Sequence, residues 1–302
     1  MAKATRLTPS LREKVWGKTR LSPWFPDADK PIGEVWYVAD RDLPLLVKLI
    51  FTTGRLSVQV HPEDGEAGPR GKTEMWNILE AEPGAAIALG FREPITREQL
   101  REGARTGEIE RLLKWVPVKA GETYFTPAHT VHAIGAGIVL CEIQENSDVT
   151  YRLWDYGRPR EIHVEQAVPI ADLGVHPGAA RPRPLGEGRE ELVRSKHFVT
   201  ESVALKAGSG LTPEPESCQL WIVLEGTGTI GGETFRRGEV WLQPESGEQP
   251  SISATSGSRF LRTYAPALGT PISQLASLPV LAPEFQSTKS LAAAHLRTPA
   301  VS

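Results

Sequence analysis

Glycine and proline divide this chain into short segments along most of its length. The 302 residues include 28 glycines and 25 prolines. Because both residue types interrupt helices and mark turns, frequent turns between short apolar segments are typical of β-barrels and β-sandwiches. The stretches 32–40 and 43–53, for example, are apolar and bounded by such residues. We therefore predict an all-β protein rather than a helical bundle.

Composition and charge narrow the class of protein further. Hydrophobic residues make up 40% and charged residues 24% of the chain, which is typical of a soluble globular protein. The formal net charge of -3, without a long basic run, argues against a nucleic-acid partner. No apolar run approaches the ~18–20 residues that span a bilayer, and the N-terminus lacks the apolar core of a signal peptide. The two cysteines indicate neither a disulfide framework nor a cysteine metal site. We expect a cytoplasmic protein without a membrane partner, and the oligomeric state is not predicted.

The strand signals fall into two β-rich regions. Helix-compatible spacing of Leu100, Ile109 and Leu112 interrupts the first region, and Ile230-Gly231-Gly232 indicates a hairpin turn in the second. The predicted organisation is, in chain order, an N-terminal wrap and first barrel over residues 1–170 with a helical insertion at about 94–115, a linker at 171–192, a second barrel at 193–267, and an irregular tail at 268–302.

A shared spacing relates the two regions. The motif G-x5-P occurs at Gly121–Pro127 in the first region and at Gly238–Pro244 in the second. Two copies of one small barrel would explain this spacing. Because no histidine lies near the second motif, any metal site is expected in the first barrel only.

The stretch LSVQVHPED, residues 56–64, alternates in the manner of a strand. Gln59 and His61 share one face, and Val58 and Val60 point to the other. If the polar face is buried, an amide beside an imidazole is costly unless each group has a hydrogen-bond partner or a metal.

Further polar residues follow at positions where neighbouring strands would bring them together. Glu74 lies two residues after Lys72 in GKTEMW, and His132 ends the pattern G-x5-P-x-H-x2-H. If these strands lie side by side, four side chains can converge: Gln59, His61, Glu74 and His132. Two imidazoles, a carboxylate and an amide oxygen favour a borderline divalent ion such as zinc over calcium.

A second carboxylate lies on an apolar strand face. Glu142 shares that face with Ile138 and Leu140 in GIVLCEIQ, which is unfavourable unless the carboxylate is paired or functional. Arg152 follows ten residues later, across the turn-like ENSD. The sequence leaves two alternatives open: a functional carboxylate, or a structural ion pair between Glu142 and Arg152.

Together the stretches LSVQVHPED, GKTEMWNIL and EIQENSDVTYRLWDYGR resemble the type I phosphomannose isomerase family, in its short bacterial branch. The family consists of zinc-dependent cupins that interconvert mannose 6-phosphate and fructose 6-phosphate. The resemblance implies two cupin barrels, one zinc ion per chain in the first barrel, and a sugar phosphate as partner. It also implies aldose–ketose isomerisation by proton transfer through an enediol-type intermediate. The alternatives are an isomerase of another phosphorylated or free sugar, and a non-catalytic sugar-binding cupin.

By matching position, the resemblance also assigns roles to residues. It implies a catalytic role for Arg152, an active-site role for Lys72, and proton transfer by Glu142. Glu142 is the first candidate for the base; Lys72 is the second, or else binds substrate oxygens. Arg158 is expected to contact the phosphate, the alternative being a solvated loop arginine. The zinc ligands would be Gln59, His61, Glu74 and His132.

The chain departs from the family pattern at two places. His129 stands where glycine is expected in a tight turn. We interpret it as a residue that tolerates the turn, since histidine is enriched at positive φ; the alternative is a proton relay near the metal. The loop 62–71, PEDGEAGPRG, is shorter than expected, which predicts a more open substrate mouth.

Overall fold

Antiparallel strands account for most of the regular structure of the chain. The computed structural model of the chain describes residues 3–266, so the predicted tail at 268–302 lies outside the described residues. Every strand pairing within the described part is antiparallel, and only three helices occur there. The prediction of an all-β chain is confirmed.

The elements are named here in chain order. The strands up to the middle of the chain are β1 (Thr5–Arg6), β2 (Thr8–Lys18), β3 (Ile32–Val38), β4 (Leu45–Phe51), β5 (Val58–Val60), β6 (Glu74–Ala81), β7 (Ala86–Phe91), β8 (Leu113–Pro117), β9 (Thr123–Thr126), β10 (His132–Ile134), β11 (Ile138–Glu145) and β12 (Tyr151–Trp154). The remaining strands are β13 (Arg183–Gly186), β14 (Arg189–Arg194), β15 (Val199–Leu205), β16 (Gly210–Leu211), β17 (Ser217–Glu225), β18 (Gly228–Ile230), β19 (Glu233–Phe235), β20 (Val240–Leu242), β21 (Ile252–Ala254) and β22 (Ser258–Ala265). The helices are α1 (Arg97–Thr106), α2 (Ile109–Leu112) and α3 (Val164–Ile170).

Two sheets, which we call the first sheet pair, enclose one apolar cluster. They are a six-stranded sheet of order β2-β3-β4-β11-β6-β9 and a five-stranded sheet of order β12-β5-β10-β7-β8. Trp76 and Leu140 from the six-stranded sheet join Ile87 and Ile134 from the five-stranded sheet in this cluster. The inner faces of the two sheets therefore meet, and polar residues on those faces meet as well.

The outer face of the five-stranded sheet is covered by the helices. Val58 and Val60 of β5 are fully buried there, against Leu100 of α1 and Ala167 of α3. Burying each of these valines stabilises the fold by ~1.5–3 kcal/mol. Since the apolar side of β5 faces the helices, its polar side, which carries Gln59, faces the interior of the first sheet pair.

The second sheet pair consists of the remaining strands. Its seven-stranded sheet has the order β1-β20-β17-β22-β15-β14-β13, and its four-stranded sheet has the order β16-β21-β18-β19. Trp221 and Phe260 of the former pack with Ile230 and Ile252 of the latter. On its other face the seven-stranded sheet joins the six-stranded sheet of the first pair in a shared apolar cluster. The layout of two closed barrels, with its boundaries, stays a prediction.

Two local predictions, a hairpin and a helical insertion, can be compared with the structure. The hairpin at Ile230-Gly231-Gly232 is confirmed: β18 and β19 pair there, and both glycines have positive φ, 58° and 85°. The helical insertion is also confirmed, as α1 and α2, and α1 begins with a capping box between Thr96 and Gln99. None of the helices within residues 3–266 has the length and apolar character that crossing a membrane requires.

The linker prediction at 171–192 is wrong for its second half. Strands β13 and β14 lie there and extend the seven-stranded sheet, with Leu192 and Val193 buried. Two arginines of the predicted linker are paired with buried carboxylates, because Arg183 donates to Glu191 and Arg189 donates to Glu201. Strands β1 and β2 likewise form within the N-terminal wrap, and α3 lies in a segment for which no helix is predicted.

Candidate active site

Three strands of the five-stranded sheet place a polar row on its inner face. Strand β5 lies between β12 and β10, with Gln59 opposite both Arg152 and His132. Side chains at opposed positions of neighbouring strands share a face. His61 follows β5 on the side of Gln59, and its ring centroid lies 4.9 Å from that of His132.

Both histidines are oriented by backbone carbonyls. Nδ1 of His61 lies 3.0 Å from the Val149 oxygen, and Nδ1 of His132 lies 2.8 Å from the Thr130 oxygen. Because a carbonyl only accepts, each Nδ1 carries the proton and each Nε2 carries a lone pair. The two Nε2 atoms lie 3.6 and 3.4 Å from the Glu74 carboxylate oxygens. This orientation is the one that metal-binding histidines have.

Burial keeps both imidazoles neutral. It lowers the pKa of His132 to about 3. Burial, and secondarily the Lys72 charge, lowers the pKa of His61 well below its usual range. Neutral imidazole is the form that binds a metal, so both rings are ready to act as ligands at pH 7.

Glu74 faces the histidines from the opposite sheet. It begins β6, its side chain is fully buried, and its Oε1 has no hydrogen-bond partner. Burial raises the pKa of the Glu74 carboxyl to about 7, although nearby Lys72 acts in the opposite direction. A buried carboxylate oxygen without a partner is costly. The donor set His61, Glu74 and His132 therefore fits a divalent cation.

Gln59 lies beside this set with its amide nitrogen 3.2 Å from His132 Nε2. Its amide oxygen lies 3.5 Å from Ser57 Oγ. A half-turn of the amide exchanges the two atoms and directs the oxygen toward the site. The structure brings the four predicted ligands together, and their role as ligands stays a prediction.

Lys72 lies in the same cluster, in contact with Glu74 and His61. Its ammonium donates to Glu74 Oε2 at 2.8 Å and lies 3.0 Å from His61 Nε2. Burial alone would lower the pKa of Lys72, but the charges of Glu74 and Glu142 outweigh it and raise the pKa. Lys72 is thus a protonated donor in this arrangement, whereas a role as base requires a lowered pKa.

Glu142 lies on the neighbouring strand β11, opposite Trp76 of β6 and Lys48 of β4. Its carboxylate accepts hydrogen bonds from Lys48 Nζ at 2.9 Å and from Trp76 Nε1 at 3.1 Å. Burial alone would raise its pKa, but Lys48 and Lys72 lower it to about 2. Glu142 is therefore ionised at neutral pH.

The alternative of a Glu142–Arg152 ion pair is wrong. Arg152, on β12 of the five-stranded sheet, donates to the Glu161 carbonyl, whereas Glu142 pairs with Lys48 within the six-stranded sheet. The cation at Glu142 is Lys48, which the sequence-based prediction missed. Its signal is a lysine in the middle of LLVKLIF, a strand buried along its entire length.

Arg152 is half-buried on the inner row of the five-stranded sheet. Its Nη1 donates to the Glu161 carbonyl at 2.8 Å, and its backbone N–H donates to His163 Nδ1 at 3.1 Å. Its Nε is buried without a partner. Burial, and then repulsion from Arg160, lowers its pKa.

The chain is similar to bacterial mannose-6-phosphate isomerases along most of its length. It is 36% identical over 292 residues to mannose-6-phosphate isomerase ManA of Bacillus subtilis, a match that covers 78% of this chain and 91% of that protein. It is 32% identical over 298 residues to the mannose-6-phosphate isomerase of Streptococcus mutans, covering 82% and 94% respectively. The chain belongs to the mannose-6-phosphate isomerase family. Models of known protein families give no match.

Solved structures share the fold of this family member. The crystal structure of the Bacillus subtilis mannose 6-phosphate isomerase aligns with a TM-score of 0.77 at 24% identity, covering 87% of this chain and 100% of that one. A putative mannosephosphate isomerase from Archaeoglobus fulgidus aligns with a TM-score of 0.72 at 18% identity, covering 88% and 98%. The prediction of a cupin fold is thereby confirmed.

Arg158 of this mannose-6-phosphate isomerase family member is held by Asp155. Its Nη2 lies 2.5 Å from Asp155 Oδ1 and 3.0 Å from the Arg55 carbonyl oxygen. Asp155 is buried and also accepts two hydrogen bonds from Arg160, at 2.6 and 2.8 Å. The alternative of a freely solvated loop arginine is therefore wrong, and a contact with phosphate stays a prediction.

His129, where glycine is expected for the family, has φ of 72°. The interpretation that histidine tolerates a turn with positive φ agrees with this conformation. Its Nε2 lies 2.7 Å from Glu66 Oε2, so the side chain bonds the short loop 62–71 rather than a predicted ligand. Its backbone N–H donates to the His61 carbonyl at 2.8 Å.

Proposed function

We propose that the chain is a zinc-dependent isomerase that interconverts mannose 6-phosphate and fructose 6-phosphate. The observation that carries the proposal is the convergence of two neutral imidazole nitrogens and an unpartnered carboxylate oxygen, at His61, His132 and Glu74. An ionised carboxylate, Glu142, lies on the strand next to Glu74. The relatives named mannose-6-phosphate isomerase support the choice of substrate.

Four side chains would hold one zinc ion per chain: Gln59, His61, Glu74 and His132. Imidazole ligands favour zinc over calcium or magnesium. When bound, zinc supplies a Lewis acid that polarises or holds sugar oxygens. The hydrogen bonds from the Nδ1 atoms to the Val149 and Thr130 carbonyls keep the ligand nitrogens aimed at the ion.

Glu142 is our candidate for the base. It takes the proton from C2 of open-chain mannose 6-phosphate, so that the C–H electrons form the C1–C2 double bond of an enediol-type intermediate. Return of that proton to C1, with transfer of the C2 hydroxyl proton to the C1 oxygen, makes C2 a ketone and C1 a hydroxymethyl group and gives fructose 6-phosphate. Lys48 and Trp76 hold the carboxylate in place through two hydrogen bonds. Lys72 is the second candidate for the base and otherwise donates to substrate oxygens.

Arg152 stabilises negative charge on the oxygens of the intermediate. Its unpartnered Nε and its place in the row beside Gln59 support this role. Arg158, fixed by Asp155, provides a positive charge for the phosphate.

The experiment is a coupled assay that follows fructose 6-phosphate formed from mannose 6-phosphate, with a chelator and with zinc added back. We expect turnover to be lost with the chelator and restored by zinc. His61→Ala is expected to abolish activity and bound metal together, and Arg152→Ala to lose most activity while keeping the metal. Full metal content and turnover in His61→Ala would refute the site. One bound metal without turnover would favour another sugar or a binding role, to be tested on a panel of phosphorylated and free aldoses.

A further inference from the structure

His197 reaches from the second sheet pair into the first. It lies in the turn between β14 and β15, and its side chain is nine-tenths buried. Its Nδ1 lies 2.8 Å from Glu145 Oε1, and its Nε2 lies 3.3 Å from Glu63 Oε1. One imidazole thus joins two carboxylates that belong to different segments of the first sheet pair.

The first carboxylate holds the segment that carries Glu74. Glu145 Oε2 accepts a hydrogen bond from the Thr73 backbone N–H at 2.8 Å, and the Glu145 N–H donates to the Thr73 carbonyl at 3.0 Å. Thr73 lies directly before Glu74. Any shift of the Glu145 side chain is therefore passed to the backbone beside a candidate metal ligand.

The second carboxylate belongs to the segment that carries His61. Glu63 follows His61 by two residues, and the Lys72 N–H donates to the Pro62 carbonyl at 3.0 Å between them. By contacting Glu63 and Glu145 together, His197 spans the two segments whose separation sets the distance between His61 and Glu74.

We propose that His197 is a positioning residue for the metal site, supplied by the second sheet pair. The inference rests on the proposed metal-dependent function. Residues that orient metal ligands through hydrogen bonds typically contribute about 10- to 100-fold to metal affinity. The expected role of the second sheet pair is then to fix the ligand geometry of the first.

A second metal ion bound by His197, Glu63 and Glu145 themselves is less consistent with the contacts. The two ring nitrogens face different carboxylates, so one ring nitrogen does not serve both. The ammonium of Lys196, 3.1 Å from Glu63 Oε1, already neutralises that carboxylate. The contact of His197 Nδ1 with Glu145 and that of Lys196 with Glu63 supply each carboxylate with a partner without an ion.

The test measures zinc affinity by competition with a chromophoric chelator on the full chain. We expect His197→Ala to bind zinc about 10-fold more weakly than the native chain, the low end of the range for residues that bond a ligand directly, because His197 acts through Glu145 and Thr73. His197→Asn is expected to recover most of the affinity, because its amide N–H can replace Nδ1 at Glu145. The amide of His197→Gln extends toward Glu63 instead, so we expect the zinc affinity of this variant to stay below that of the native chain. The comparison of the Asn and Gln variants keeps the test valid if the alanine variant does not fold.

The matched control is Arg41→Ala. It removes another contact between the sheet pairs, the exposed ion pair of Arg41 with Glu245 at 2.8 Å, which touches neither ligand segment. We expect native zinc affinity in this variant. Native affinity in all His197 variants would overturn the inference, as would a second zinc per native chain that His197→Ala loses. A native chain that binds no zinc would instead refute the proposed function.

Discussion

The two sheet pairs carry a matching row of side chains in which the charges are exchanged. In the first pair the row runs across β4, β11, β6 and β9 as Lys48, Glu142, Trp76 and Tyr124. In the second pair it runs across β15, β22, β17 and β20 as Glu201, Arg262, Trp221 and Trp241. The carboxylate that we propose as a base therefore has an arginine as its counterpart.

The difference extends to the position two residues before each tryptophan. Glu74 occupies it in the first pair, with Oε1 unpartnered. Gln219 occupies it in the second pair, and its Oε1 accepts from Arg262 Nε at 2.7 Å and from Trp221 Nε1 at 3.2 Å. The second pair thus satisfies this position with its own guanidinium, whereas the first has an acceptor free for a ligand.

Imidazoles complete the contrast. The five-stranded sheet faces Glu74 with His61 and His132, whereas the sequence contains no histidine between residues 198 and 266. The same strand arrangement therefore supports a candidate metal site in one place and a closed polar core in the other. The two places therefore differ in the side chains at matching positions of the row.

The largest effect on zinc content and activity is expected from Glu74→Gln, which places in the first sheet pair the amide that the second pair has at Gln219. Glu74→Gln removes the carboxylate charge from the metal site, and we expect bound zinc and activity to be lost together. Loss of the several kcal/mol that a metal contributes corresponds to a fall in kcat of about 10³-fold or more. Metal analysis and the coupled assay measure both quantities. Native zinc content in this variant would show that the difference between Glu74 and Gln219 does not determine metal binding.

A smaller loss is expected when only the proton-transfer group changes. Glu142→Gln keeps the shape of the side chain and removes the base, so kcat should fall by about 10²- to 10⁴-fold. Because Glu142 is not among the predicted ligands, zinc content should stay at one per chain. The same assay with metal analysis separates this result from that of Glu74→Gln. Unchanged kcat would indicate that Lys72, and not Glu142, is the base.

The sequence predicted the residues of the candidate site better than their partners. Alternation in LSVQVHPED places Gln59 and His61 on one face, and the structure has Val58 and Val60 buried on the other. This inference needs only the period of a strand, which is a local property. The two G-x5-P motifs likewise span the strands β9 and β20, which hold matching places in the two rows.

The partners depend on strand order, which is not local. Lys48 is 94 residues from Glu142, and only the β4–β11 register brings them together. A Glu142–Arg152 pair is one alternative that the sequence leaves open, because the chain turns between them, but the fold places β12 beside β5. The linker prediction is wrong for a related reason: only the pairing of β13, β14 and β15 brings Arg183 to Glu191 and Arg189 to Glu201.

A substitution in the polar row of the second sheet pair should lower the free energy of unfolding and leave activity unchanged. Arg262→Met removes the buried cation of Glu201, which keeps Arg189 at 2.8 Å, and removes one of the two donors to Gln219 Oε1. Removing one partner of a buried ion pair costs about 3–5 kcal/mol when the other charge is left uncompensated. We expect a smaller loss here, because Arg189 remains beside Glu201. Denaturant unfolding should show this loss, whereas zinc content and kcat of the folded variant should stay native. A native free energy of unfolding would mean that the polar row of the second pair contributes little.

The smallest effect on zinc content is expected from Gln219→Glu, which gives the second sheet pair the carboxylate that the first has at Glu74. The new carboxylate lies beside Arg262, whose Nε already donates to this position at 2.7 Å, so it gains a cation within the protein. It gains no imidazole, because residues 198–266 contain none. A carboxylate paired with a guanidinium and without histidines is a poor zinc site. We therefore expect metal analysis to give one zinc per chain, as in the native protein. A second zinc would show that the carboxylate alone distinguishes the two sheet pairs, and that the facing histidines are not required.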